Sequence, residues 1–366
     1  MELEFREPTL ELFTLLKTAD QSKKHKENLR NHLLKTLNIN TYRYAIESGI
    51  LEDNQQDLKS MNAKIEEALT KMEKDKEVDL DNEAQITEID KKICELYAQI
   101  CDHDKFAKLS LELIEKDPSV SLKLDILMCK IRTAIIFEKR AELVRYVEEA
   151  SFIFQSSSDW DRKNRFKVYL GLFHLIKAEF NEAAVYFSNA LSSFDATELI
   201  TFDSLILYTV FTSLLTFNRD DLRVKLIENS EVRKCKELVE LPECFFECYY
   251  SEILRKLLLF LEHCEKDLFL APFKDYFCKE MKIKMYFQLL VSYQSLQLAR
   301  MASFFNIETS HLEEDLRCFI AEGRISCVID RIDGVVRMKN AKKEEDLNAF
   351  FAHGSKVLRE IKKSID

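Results

Sequence analysis

From Trp160 to Leu191 the chain reads WDRKNRFKVYLGLFHLIKAEFNEAAVYFSNAL, and the reading of this stretch decides the fold. Both halves are rich in good helix formers, with apolar residues at three- and four-residue steps, so two helices are expected, Trp160–Ala178 and Phe180–Phe194. Small residues stand at Gly171, Ala183 and Ala190, and rings at Phe180 and Phe187. Two helices that cross closely need small side chains at the crossing, and aromatic rings fill the gaps between one hairpin and the next.

The same pattern extends in both directions. It gives the pairs Ile86–Cys101 with Phe106–Glu115 and Ser121–Phe137 with Lys139–Gln155 on one side, and Phe202–Phe217 with Asp221–Ile227 on the other. Starts recur about every 35–40 residues, the period of tetratricopeptide-like helical hairpins, and Asn181-Glu182-Ala183 opens its helix as that repeat does. A single hairpin cannot bury its apolar face, so stacked neighbours supply the core of a helical solenoid. Upstream, Leu58, Met61, Ile65, Leu69 and Met72 make one narrow stripe on a charged helix from Asp57 to Lys76. Leu10–Leu16 and Leu29–Leu37 read as shorter helices, and the polar run Lys17–Lys26 as a loose connection.

The last third changes in kind. Pro242 and Pro272 punctuate helices; a short helix follows over Leu296–Phe305, then a turn at Asn306-Ile307-Glu308 and a second helix from Ser310 to Glu322. Ser310 and Glu313 have capping-box spacing, and Gly323 ends the helix. Two β-rich runs, Ile325–Ile329 and Val335–Met338, are joined through the hairpin signal Asp333-Gly334. Helix, turn, helix and two-stranded wing is the layout of a winged helix. A final helix, Glu344–Ile365, carries an apolar stripe of Leu347, Phe350, Phe351, Val357, Leu358, Ile361 and Ile365. The fold class is therefore mainly α. Its expected divisions are an N-terminal helical region over 1–80, repeats over 81–240, the winged-helix module over 241–340 and a terminal helix over 341–366.

Composition bounds the function. With 5 Gly and 4 Pro among 366 residues there is little turn chemistry, as an α protein requires. A net charge of −10 repels phosphate backbones and anionic lipid, so neither nucleic acid nor membrane is an expected partner. No basic leader and no long apolar run is present, which points to the cytoplasm and nucleus. Ten cysteines without a secretion signal read as reduced thiols; Cys244 and Cys248 share a helical face, but no CxxC or HxxxH pair completes a metal set.

Enzyme chemistry finds no local motif. The glycines at 49, 171, 323, 334 and 354 never take phosphate-loop spacing. The histidines at 25, 32, 103, 174, 263, 311 and 353 never come closer than seven apart, so no zinc-hydrolase pair exists. No catalytic, cofactor-binding or metal residue is assigned, and no cofactor is expected. A DNA-reading winged helix is disfavoured as well, because Glu313, Glu314, Asp315 and Glu322 stand on its would-be recognition helix against Arg317 alone.

One segment is specific enough to carry a family resemblance. Asp159-Trp160-Asp161-Arg162-Lys163-Asn164-Arg165-Phe166-Lys167-Val168-Tyr169-Leu170-Gly171 resembles the corresponding stretch of the seventh non-ATPase subunit family of the proteasome lid. Similarity continues through Tyr208-Thr209-Val210, Asp220-Asp221-Leu222-Arg223 and Leu241-Pro242. Ala271-Pro272-Phe273, Ser292-Tyr293-Gln294-Ser295-Leu296 and Phe319-Ile320-Ala321-Glu322-Gly323-Arg324-Ile325 resemble that family's PCI module. The likeness runs from about Leu80 to Lys339.

The resemblance implies a non-catalytic scaffold of the 26S proteasome regulatory particle, supporting ubiquitin-dependent degradation within a hetero-oligomer. Its implied partners are other PCI subunits, the lid's helical bundle, the lid deubiquitinase subunits and the regulatory ATPase ring. It also implies that Ile325, Ser326, Cys327, Val328 and Ile329 pair with a neighbour's strands, and that the stripe from Leu347 to Ile365 joins the bundle. The alternative of the same class is a PCI scaffold of the signalosome or of a translation-initiation complex.

Overall fold

The computed structural model describes residues 5–78, 83–156 and 159–338. The helix expected over Glu344–Ile365, and with it Leu347, Phe350, Phe351, Val357, Leu358, Ile361 and Ile365, lies outside these residues. The chain forms two compact units, one from Met1–Val239 with Glu265–Pro272, the other from Glu240–Cys264 with Phe273 onward.

The first unit is an array of helices: α1 Glu11–Thr18, α2 Lys23–Thr36, α3 Ile39–Glu47, α4 Gln55–Val78, α5 Glu83–Ile100, α6 His103–Lys116, α7 Val120–Ile136, α8 Arg140–Ser156, α9 Trp160–Ile176, α10 Phe180–Ala190, α11 Phe202–Thr216 and the short α12 Arg219–Asp221. The polar run Lys17–Lys26 is not a loose connection: Ser22 caps α2 by accepting from the His25 amide, and Lys17 pairs with Glu138 at 2.6 Å. Helix α3 is an element that periodicity missed, for its nine residues bury only Ile39, Thr41, Tyr42 and Ala45. On α4 the expected seam is real but short, with Met61 and Ile65 buried and Leu58, Leu69 and Met72 half-buried. The helix expected over Asp221–Ile227 starts earlier and widens to π geometry over Leu222–Ile227.

The hairpin turns explain how so few glycines suffice. Cys101, Glu138 and Ala178, at the ends of α5, α7 and α9, adopt left-handed backbone at φ 58°, 54° and 60°. In each, the next amide reaches back to close the turn, Asp102 to Tyr97, Lys139 to Ala134 and Glu179 to His174, satisfying carbonyls that a helix end leaves open. The repeat is thus written in backbone geometry that non-glycine residues adopt at some steric cost.

In the α9–α10 hairpin the small residues stand where they are needed. A Cβ added to Gly171 would lie 2.6 Å from the Phe187 ring, and Ala183 and Ala190 are fully buried. Phe180 and Phe187 reach to α11, their rings 5.9 Å from Phe211 and 5.7 Å from Tyr208. The return segment 265–272 seals the last hairpin: Phe269 stacks on Phe13 at 5.5 Å, and Tyr208 donates to Asp267 at 2.7 Å.

The core of this unit is not wholly apolar. Along α9, Arg162 donates to Asp125 on α7 (2.8 Å) and to Asp159; Arg165 donates to Glu198 (3.0 Å) and lies 3.6 Å from Asp125. Tyr169 donates to Glu198 (2.9 Å) and accepts from Arg132. Burial alone would push the Glu198 carboxyl up, but the charges of Arg132 and Arg165 outweigh it and hold the group below the usual carboxylate range.

The second unit contains α13 Lys236–Phe246 from Glu240 on, α14 Tyr250–Lys266 up to Cys264, and α15 Lys274–Val291. Pro242 lies inside α13 and does not end it; Pro272 sits in the turn Ala271–Phe273 ahead of α15. After α15 come β1 Ser295–Gln297, α16 Leu298–Phe305, α17 Thr309–Ala321, β2 Cys327–Asp330 and β3 Val335–Met338. The three strands form an antiparallel sheet in the order β1-β3-β2.

Candidate functional site

The winged helix is held by one aromatic cluster and a rim of ion pairs. Tyr286 on α15 meets Phe305 of α16 (5.0 Å between ring centres) and Phe319 of α17 (6.2 Å). Its hydroxyl donates to Asp315 at 3.0 Å, and burial together with that carboxylate pushes the phenol pKa far above its ordinary value. Leu312, Leu316, Ile325, Cys327, Leu296 and Val336 complete the core. At the rim, Arg324 clasps Glu280 with two bonds of 2.6 Å, Lys282 meets Asp315 (2.9 Å), Lys279 meets Glu322 (2.7 Å) and Arg331 meets Glu313 (2.7 Å). Asp315, Glu322 and Glu313, which read as obstacles to DNA, are thus partners of basic residues within the module.

Three sequence expectations need correction. The helix expected over Leu296–Phe305 begins at Leu298, because Ser295–Gln297 pairs with Val335–Arg337 as a third strand. The capping box of Ser310 and Glu313 does not form: α17 starts one residue earlier, Ser310 Oγ bonds Glu308, and Glu313 is taken by Arg331. The first wing strand covers Cys327–Asp330, not Ile325–Ile329, since Ile325 has turned into the core.

The sheet has one informative edge. The Leu298 amide donates to the Gly334 carbonyl at 2.8 Å, so β3 turns the backbone groups of Gly334 and Val336 toward β1. Alternation along an antiparallel ladder then turns those of Val335 and Arg337 toward β2, where they meet Asp330 and Val328. The amide and carbonyl of Ile329 therefore point away from the sheet, along an edge of β2 that no strand among the described residues pairs with.

Of the residues assigned to this surface, Ile325 and Cys327 are buried in the module's own core, Ile329 is half-buried, and Ser326 and Val328 are exposed. Beside the edge runs a groove lined by Arg317, Cys318, Ala321, Val328 and Ile329. At the tip of the wing, Asp330 Oδ1 accepts from the amides of Ile332 and Asp333, Gly334 takes φ 63°, and Ile332 is left 97% exposed. Sequence reading passed over Ile332. Its signal was a β-branched apolar residue inside a turn, where polar residues prevail.

Among the described residues no group of three or more His, Cys, Asp or Glu is arranged to hold a metal, and no helix is long and apolar enough to cross a membrane. What the geometry offers is surface: an open strand edge, an adjoining groove and an apolar tip.

Residues 49–225 match the family described as 26S proteasome subunit RPN7, and residues 254–340 match the PCI domain. The chain is 30% identical to the 26S proteasome regulatory subunit rpn7 of Schizosaccharomyces pombe over 84% of its own length and 80% of that relative's. It is 28% identical to the 26S proteasome non-ATPase regulatory subunit 6 of Dictyostelium discoideum, with 86% and 82% covered. With the 26S proteasome regulatory subunit RPN7 of Saccharomyces cerevisiae it shares 29% identity, over 86% and 73%.

Proposed function

Because the chain belongs to the RPN7 family of 26S proteasome subunits, we propose that it is a non-catalytic scaffold of the regulatory particle lid, acting in ubiquitin-dependent degradation in cytoplasm and nucleus. The observation that carries this reading is the open edge of β2 with Ile332 beside it. Unpaired backbone groups on an edge are a template for strand addition, and an exposed apolar tip next to them supplies an anchor. The docking surface comprises the outward groups of Ile329, the side chains of Ser326 and Val328, and Ile332. Ile325 and Cys327 support it from beneath. Its partners are other PCI subunits of the lid. The stripe from Leu347 to Ile365 enters the lid's helical bundle, and the deubiquitinase subunits and ATPase ring are further neighbours in the same assembly.

Affinity purification of the tagged chain, followed by identification of what comes with it, tests the proposal. Recovery of lid subunits in fixed ratio is the expected result. Recovery of signalosome or translation-initiation subunits in their place would assign the chain to a different scaffold.

A further inference from the structure

Residues Phe5–Leu10 precede α1 in an irregular course with no helix or strand to satisfy their backbone, yet Phe5 and Leu10 are buried. The array supplies what is missing. Arg132 on α7, with no exposed surface, donates from Nε to the Pro8 carbonyl (2.8 Å) and from Nη2 to the carbonyls of Phe5 and Glu7. Cys129, one turn earlier, also lies against the Glu7 carbonyl, Sγ to oxygen 3.5 Å. The Leu10 amide donates to the Glu198 carbonyl at 2.8 Å, and Arg6 pairs with Asp195 at 2.9 Å. Phe5 itself is part of one buried apolar cluster with Cys94, Ala98, Phe106, Leu113, Leu122 and Ile126 from α5, α6 and α7.

This is the way a site holds a short bent peptide: its carbonyls converge on one fixed donor, one aromatic side chain is buried and one charged side chain is paired at the rim. We propose that the groove between α5–α7 and the 195–199 turn is a peptide-binding site, occupied by the chain's own Phe5–Leu10 segment. Its ligand class is a short peptide with an aromatic residue followed by a basic one, bent so that its carbonyls converge on Arg132. Arg132 is preorganised for this, because Tyr169 accepts from its Nη1 and is itself tied to Glu198, so the guanidinium is aimed before the segment arrives.

A labelled synthetic peptide spanning Met1–Leu12, added to the full chain, provides the test. The Phe5→Ala chain, whose own segment has lost its anchor, is expected to bind the peptide at least about tenfold more tightly than the unaltered chain, whose groove is filled. Adding Arg132→Met to Phe5→Ala should reverse the gain. A folded Phe5→Ala chain that ignores the peptide, or that binds it equally with and without Arg132, overturns the proposal. Hydrogen exchange on the unaltered chain needs no variant. Amides over 5–10 should open as a unit well before those of α7 and α9, and exchange only together with those helices would show the segment to be ordinary core.

Discussion

In the helical array a run of charged and polar side chains, Asp125, Arg162, Arg165, Glu198, Tyr169 and Arg132, lies inside the core. In the winged helix Lys279, Lys282 and Arg331 meet their carboxylates at the rim of a largely apolar and aromatic interior, and Arg324 reaches in from the rim to the buried Glu280. The two arrangements carry different energies. A pair at the surface gains modest Coulomb energy in water and is screened by salt, whereas a buried charge must keep every partner, because removing one leaves the other uncompensated. The array's network therefore fixes how α7, α9 and the turn after α10 are set against each other. At the rim of the winged helix the loss of one pair is expected to cost less.

The sharpest way to break this contrast is Glu198→Ala, which takes from Arg165 and from the Tyr169 hydroxyl the carboxylate that both donate to. A loss of about 3–5 kcal/mol is expected, read by denaturant unfolding, and a loss near zero would show that the network is not structural. Next in size is Ala183→Leu or Ala190→Leu at the α9–α10 crossing, expected to cost about 1–3 kcal/mol by overpacking; melting unchanged for both would remove the close crossing. A third test uses pH. His103, whose Nε2 is buried without a hydrogen-bond partner among the described residues and whose ring stands edge-on to Phe137, has its pKa lowered by burial and by Lys139. The unfolded chain then takes up its proton first, so the stability this neutral ring contributes is lost as pH falls from about 6.5 toward the lower folded value. His103→Phe should flatten the stability profile in that window, and an unaltered slope would assign it to other groups. The smallest effect belongs to the rim: Arg331→Ala should change stability by less than about 1 kcal/mol, and a larger loss would make the rim as demanding as the core.

How much of this was legible follows the same division. Gly171, Ala183, Ala190 and Phe187 could be read because apolar packing repeats at helical spacing. The layout after Gln294 could be read because Asp333-Gly334 and Gly323 mark turns by backbone chemistry. The buried network could not, since its partners lie far apart in sequence. The available signal was Asp125 and Arg132 among the apolar residues of α7, and Arg162 and Arg165 on α9. The Phe5–Leu10 segment was equally silent, because what holds it is its carbonyls, which carry no residue type. Helix α3 and strand β1 were lost to shortness. Nine and three residues give periodicity too little to count.

The claim that the wing is a docking surface is tested most directly by replacing Ile329 with Pro and, separately, Ile332 with Asp, then measuring how much of each tagged chain enters particles containing other lid subunits. The first change removes an amide that points away from the sheet, and the second places a charge on the exposed tip; neither touches the core built by Tyr286, Phe305 and Phe319. The account predicts that both variants melt within a few degrees of the unaltered chain and are recovered mainly free of the particle. Incorporation equal to that of the unaltered chain for both variants would contradict it.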